Sequence, residues 1–135
     1  MDLENSVGVS ASGLRAQSLR MRVIAENLAN TDSVAETPGG APYRRRVPAF
    51  RAEVDKASGA TEVSVTGIKS DRSDFPRTYQ PGHPAADANG YVLMPNVNAL
   101  TEAADMKAAQ RSYEANLNAI EAARSLTMRT IDLLK

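Results

Sequence analysis

Residues 99–135 read ALTEAADMKAAQRSYEANLNAIEAARSLTMRTIDLLK, and their spacing sets the architecture expected of the whole chain. The segment contains no proline. Alternating steps of three and four from Ala103 reach Met106, Gln110, Tyr113, Leu117, Ile120, Arg124, Thr127, Ile131 and Leu134, and seven of these ten positions are apolar. A narrow stripe of this kind is the seam of a coiled coil rather than the broad face of a globular helix. Leu126 and Met128 widen it near the end. Asn98 is placed to cap the first turn, because its side-chain oxygen can accept first-turn N–H groups. Glu102 and Asp105 lie toward the positive end of the helix dipole, Arg129 and Lys135 toward the negative end. The spacing predicts a helix of about 35 residues, roughly 50 Å long at 1.5 Å per residue.

The amino end repeats the period. Over residues 3–31 the seam positions carry Leu3, Val7, Ser10, Leu14, Gln17, Met21, Ile24 and Leu28, six of them apolar. Ser10 and Gln17 interrupt the seam, which costs stability but can fix register. The run Val7-Gly8-Val9-Ser10-Ala11-Ser12-Gly13 is poor in helix formers, so its helix is expected to depend on packing.

Residues 37–98 hold all seven prolines and read as turns and short strands. Glu62-Val63-Ser64-Val65-Thr66-Gly67-Ile68 alternates, with Val63 and Val65 on one face. Arg45-Arg46-Val47-Pro48-Ala49-Phe50 is extended but carries a proline, which places it on a sheet edge. Asn89-Gly90 predicts a two-residue hairpin turn with Tyr91-Val92-Leu93-Met94 returning. The stretch Val34 to Pro42, with Gly39-Gly40 inside it, predicts a flexible loop. The expected fold is therefore mainly α. Long N- and C-terminal helices pair as a coiled-coil-like core, and a small β-rich domain lies between them in sequence. The divisions fall at 1–34, 35–98 and 99–135.

Composition narrows the function. The chain has 135 residues, sixteen basic and sixteen acidic, for zero net charge. It gains little from counterion release on a phosphate backbone, and no nucleic-acid partner is expected. No apolar run approaches the ~20 residues of a membrane-spanning helix, so no membrane insertion is expected. The acidic start Met1-Asp2-Leu3-Glu4-Asn5 is followed by no apolar run, so no cleaved secretory signal is expected. Leu, Ile, Val and Phe make up only 26 residues, whereas Ala alone supplies 22. So thin an apolar content predicts a weak solitary core: either the chain is partly disordered alone, or neighbouring molecules complete the core.

No catalytic or cofactor signal stands above background. With no cysteine and one histidine, His83, a metal site lacks converging ligands. In Pro81-Gly82-His83-Pro84 that histidine reads as a turn or packing residue. Asp87-Ala88-Asn89-Gly90 lacks the first carboxylate and the last glutamate of a calcium loop and reads as a turn. Arg44-Arg45-Arg46 is a short basic run, expected to be a solvated or interface strand with carboxylate partners rather than a phosphate-binding patch. Gly39-Gly40 leads to Pro42, not to a helix start, so there is no phosphate loop.

Leu28-Ala29-Asn30-Thr31, closing the first helix, resembles the Asn-Ile-Ala-Asn signature of the flagellar rod and hook axial proteins. Asn96-Val97-Asn98 leading into Glu102, then Met106 and Arg111-Ser112-Tyr113-Glu114-Ala115-Asn116, is similar to their C-terminal signature. Tyr79 to Val92 and Pro42-Tyr43-Arg44-Arg45 resemble the proximal-rod members in particular. The chain departs from the family pattern at Ala103, Lys107, Asp32 and Ser33.

The resemblance implies a non-enzymatic structural subunit of the basal-body rod, the shaft that carries torque across the periplasm. It implies export through the flagellar type III apparatus without a cleaved signal. The implied partners are further copies of the chain, other rod proteins of the FlgB, FlgF and FlgG type, and the adaptor FliE. Seam position and resemblance together point to subunit-interface residues: Leu14, Met21, Ile24, Leu28 and Asn30 from the first helix, and Met106, Tyr113, Asn116, Leu117, Ile120 and Ile131 from the second. The alternative is a small soluble homo-oligomeric binding module that uses the 75–94 hairpin region; an enzyme ranks third.

Overall fold

The computed structural model describes residues 2–135. Helix α1 spans Leu3–Ala29 and helix α2 spans Ala99–Leu133. Between them in sequence lie four strands: β1 (Arg46–Val54), β2 (Thr61–Ser70), β3 (Arg77–Tyr79) and β4 (Tyr91–Leu93). They form two two-stranded sheets, β1 with β2 and β3 with β4. Two long helices and a small β region are thus present as expected.

The helix ends follow from local chemistry. The Asp2 carboxylate accepts the Asn5 N–H at 2.7 Å, and Asn98 Oδ1 accepts those of Leu100 at 3.1 Å and Thr101 at 3.2 Å. Both are N-caps that satisfy first-turn donors. At the other end of α1, the Asn30 amide donates to Glu26 O at 2.7 Å and the Thr31 hydroxyl to Leu28 O at 3.2 Å. Side chains thereby occupy carbonyls that no further helical turn would reach.

The chain forms two compact units, each drawing on both helices and the middle segment. The first contains the described residues through Met21, with Pro48–Gly67 and Lys107–Lys135; the second contains Arg22–Val47 and Ile68–Met106.

In the first unit, α1 uses two adjacent faces. Buried Ser12 accepts the Val63 N–H of β2 on its Oγ at 3.1 Å. Gly13, next in sequence, faces Asn116 of α2. The β1–β2 hairpin turns at Asp55, whose carboxylate accepts the Ser58 N–H at 3.1 Å. Pro48 is tolerated in β1 because each strand of a two-stranded sheet has an open edge. Val63 and Val65 remain 40% exposed.

In the second unit, β3 and β4 are antiparallel, with Arg77 opposite Leu93 and Tyr79 opposite Tyr91. The tyrosine rings meet edge to face with centroids 5.3 Å apart. The two-residue hairpin expected at Asn89-Gly90 is instead the last turn of an irregular connection over 80–90. The turn is local, with the Gly90 N–H donating to Asp87 O at 3.0 Å, but β4 pairs with a strand on the far side of the prolines. Gly90 has φ of +86°, and a β-carbon there would lie 2.8 Å from the Tyr79 ring. Only glycine fits both constraints.

The apolar core is small. Among the described residues, its buried apolar side chains are Val23, Ile24 and Val92, with Ala16, Ala60, Ala85, Ala109 and Ala123.

Candidate functional site

The buried stripe of α2 runs through Glu102, Met106, Ala109, Tyr113, Asn116, Ile120 and Ala123, each buried or half-buried. The steps of four and three match the expected period, but the register differs from the expected seam at every second position. Ala103, Gln110, Leu117 and Arg124 are exposed, and their predecessors Glu102, Ala109, Asn116 and Ala123 take the inner face. The reason is steric. Alanine and glycine let backbones approach closely, and a β-carbon on Gly13 would lie 2.6 Å from the Asn116 amide nitrogen. Gln110, Leu117 and Arg124, each larger than its predecessor, are left outside that approach, whereas Glu102 turns inward in place of Ala103 because it pairs with Arg45.

On α1 the most buried residues are Ser12, Gly13, Ala16, Val23, Ile24 and Asn27, so the expected seam coincides fully only at Ile24. Leu14, Met21, Leu28 and Asn30 are half-buried, as are Met106, Tyr113, Asn116 and Ile120 on α2. Asn30 and Asn116 bond to carbonyls of their own helices, Glu26 and Ser112. Leu117 is 39% and Ile131 46% exposed. From Arg124 to Lys135 every residue is exposed, including Leu126, Met128, Leu133 and Leu134.

The second unit holds a polar cluster that sequence reasoning missed. Asn27 and Glu102 are each 1% exposed. Asn27 Oδ1 accepts from the Tyr43 hydroxyl at 2.8 Å and the Arg46 N–H at 3.0 Å. Its amide donates to Arg46 O at 2.8 Å and to Glu102 Oε2 at 3.3 Å. All four hydrogen-bonding positions of the carboxamide are therefore used. Arg45 Nε donates to the other Glu102 oxygen, while its NH1 reaches Asp71 at 3.3 Å. Asn96 receives the Arg45 backbone N–H at 2.7 Å and donates to Asp71 O at 3.0 Å.

The electrostatics follow from these contacts. The Glu102 hydrogen bond, foremost, raises the Arg45 guanidinium above its usual value. Burial pushes the Tyr43 phenol up, and the Ser73 N–H holds the Asp71 carboxyl below its ordinary value. The available signal for Glu102 was its seven-residue spacing from Ala109, Asn116 and Ala123. For Asn27 it was a polar side chain one helical turn beyond Val23.

The basic run is absorbed internally. Arg44 donates to the Asp71 and Ser73 carbonyls and stacks 4.1 Å from the Phe75 ring centroid, and Arg46 pairs with Glu26 at 3.2 Å. The expected carboxylate partners are present for Arg45 and Arg46, whereas only Arg46 lies in a strand and Arg44 bonds to carbonyls. His83 Nδ1 accepts the Ala85 N–H at 3.0 Å, which is a turn role. A cavity lined by Arg77, Ala85, Asp87, Tyr91 and Leu93 together with the 35–40 loop has about 140 Å³, below the ~300–1,000 Å³ typical of small-molecule sites, and an open groove at Phe75, Pro76 and Asn96 has about 590 Å³. Among the described residues there is no group of three side chains that could hold a metal ion, and no helix long and apolar enough to cross a membrane.

The two ends of the chain form long helices, and the second ends in an exposed apolar tail. Residues 88–133 match the flagellar basal body rod FlgEFG protein C-terminal family. Over 127 residues the chain is 52% identical to the flagellar basal-body rod protein FlgC of Agrobacterium fabrum, covering 94% of this chain and 91% of that one. It is 40% identical to FlgC of Aquifex aeolicus over 137 residues, covering 100% and 99%, and 38% identical to FlgC of Salmonella typhimurium over 133 residues, covering 98% of each. The chain belongs to the FlgC family of flagellar basal-body rod proteins.

Proposed function

We propose that the chain is a structural subunit of the flagellar basal-body rod, in its proximal part, and that it becomes fully ordered by assembly with its neighbours. The rod role follows from its family. The observation that carries the assembly reading is the carboxyl-terminal end of the chain, from the last turns of α2 onward. Leu126, Met128, Ile131, Leu133 and Leu134 lie 46–87% exposed in twelve residues that no described residue buries. Soluble monomers rarely leave so continuous an apolar surface in water, because burying each large side chain is worth about 1.5–3 kcal/mol.

In this reading the terminal helices pair in a coiled-coil-like manner within and between subunits. Leu117 and Ile131 present the outer interface, and Leu14, Met21, Leu28, Met106, Tyr113 and Ile120 support it from the half-buried flanks. The partners are further copies of the chain, rod proteins of the FlgB, FlgF and FlgG type, and FliE. Delivery is through the flagellar type III apparatus without a cleaved signal. The role is mechanical, not enzymatic.

The test is Leu117→Asp in the motile cell. Rod assembly and swimming should be lost, while the purified monomer keeps its wild-type circular dichroism, because residue 117 is already exposed. Normal swimming would refute the interface assignment.

A further inference from the structure

We propose that Asn27, Arg45 and Glu102 form a latch that makes the ordering of three distant segments mutually conditional: the last turns of α1, the strand entry at 43–46 and the first turns of α2. Glu102 contacts both others, and Asn27 is tied to Glu102 directly and to the strand entry through Tyr43 and Arg46. Glu102 is buried to 1% exposure and is neutralised by Arg45. A carboxylate left in that place without its cation would carry the full penalty of an unpaired buried charge. Asn27, equally buried, satisfies its acceptor positions only with Tyr43 and Arg46 and its donors only with Arg46 and Glu102. Removing any one segment leaves buried polar atoms without partners on the others.

The contacts also join residues far apart in the chain. The latch contacts span 19 residues between Asn27 and Arg46, 57 between Arg45 and Glu102, and 75 between Asn27 and Glu102. None is local, so neither helix end can satisfy its polar group by folding alone. Until residue 102 joins residues 27 and 45, these groups keep their water, because burying any of them without its partners costs more than leaving it solvated. Closure then orders all three together. Asp71, and Asp105 in the same turns of α2 as Glu102, also face the Arg45 guanidinium, at 3.3 and 3.9 Å. The inference does not depend on the rod assignment, because it concerns the isolated chain.

Hydrogen exchange on the full-length protein tests it. Arg45→Met keeps the apolar stem and removes the charge. It should lower protection about tenfold or more in both 22–29 and 99–106, reflecting an unpaired buried carboxylate. Adding Glu102→Gln, which keeps an acceptor for the Asn27 amide, should restore most of the protection in both segments. Loss confined to residues beside position 45, no loss, or a double variant no better than the single one would overturn the latch. If Arg45→Met unfolds the whole chain, circular dichroism of the double variant decides: recovery of helix supports the latch, and a chain still unfolded refutes it.

Discussion

Gly13 of α1 faces Asn116 of α2 so closely that a β-carbon at position 13 would sit 2.6 Å from the asparagine amide nitrogen and 2.9 Å from its carboxamide carbon. Asn116 is not free to swing away, since that amide also donates to Ser112 O at 2.9 Å. Gly13→Ala should therefore destabilise the protein by about 1–2 kcal/mol, with overpacking outweighing the ~1 kcal/mol gained in helix propensity. Adding Asn116→Ala should recover most of the loss. A thermal melt of the two single variants and the double variant reads the coupling, and strict additivity would contradict the close approach.

Ser12 holds the hairpin to the helix through one bond, from the Val63 N–H to its Oγ. Ser12→Ala leaves that N–H unpaired at a position 1% exposed on the serine side. The expected cost is about 1–2 kcal/mol in denaturant unfolding, with amide exchange at Val63 accelerated most.

Asn27→Asp should cost more than Asn27→Ala. Aspartate forfeits the two donated bonds and places a second carboxylate against buried Glu102, whereas alanine only empties the site. The expected penalty for aspartate is about 3 kcal/mol or more, against about 1–3 kcal/mol for alanine. Equal melting temperatures for the two variants would show that Glu102 does not sense residue 27.

Removing residues 124–135 cuts α2 immediately after Ala123, its last buried position. Because the deleted turns touch little of the chain, the thermal midpoint of the isolated protein should move by no more than about 2 °C. Rod assembly should nevertheless fail, as judged by motility.

Acid sensitivity follows from two carboxyls. The Ser73 backbone N–H, foremost, lowers the Asp71 carboxyl below its ordinary 3.8, and the Tyr91 N–H does the same for Asp87. A folded-state value below the unfolded one means the stabilisation is complete above the ordinary carboxylate range and is lost as pH falls through the lower folded value. Carboxyl titration by nuclear magnetic resonance should give midpoints below 3.8 for both, and Asp87→Asn should soften the acid limb of the stability curve. Ordinary midpoints would contradict these turns.

Much of the architecture was legible in the chain. Proline-free ends with helical spacing, a cap at Asn98 and a proline-punctuated middle each depend on local preferences, and local preferences are written residue by residue. What escaped was the register of burial. The apolar pattern of α2 favoured Leu117 over Asn116 and Gln110 over Ala109 by continuing a seam, yet Asn116 and Ala109 face inward. A hydrophobic pattern reports which positions avoid water, but not whether this chain or its neighbours will cover them. Small residues at close approach, Gly13, Ala16, Ala109 and Ala123, carry little hydrophobic signal although they set the spacing of backbones.

Two long helices, a broken middle and too little large apolar content for a generous core were already written in composition and periodicity, because both act locally. The tertiary structure alone decided that Asn27, Arg45 and Glu102 meet, since residues up to 75 apart are joined only by the path of the chain. It also decided that the large side chains at the end of α2 stay exposed, because the last buried position of that helix is Ala123 and no described segment packs beyond it.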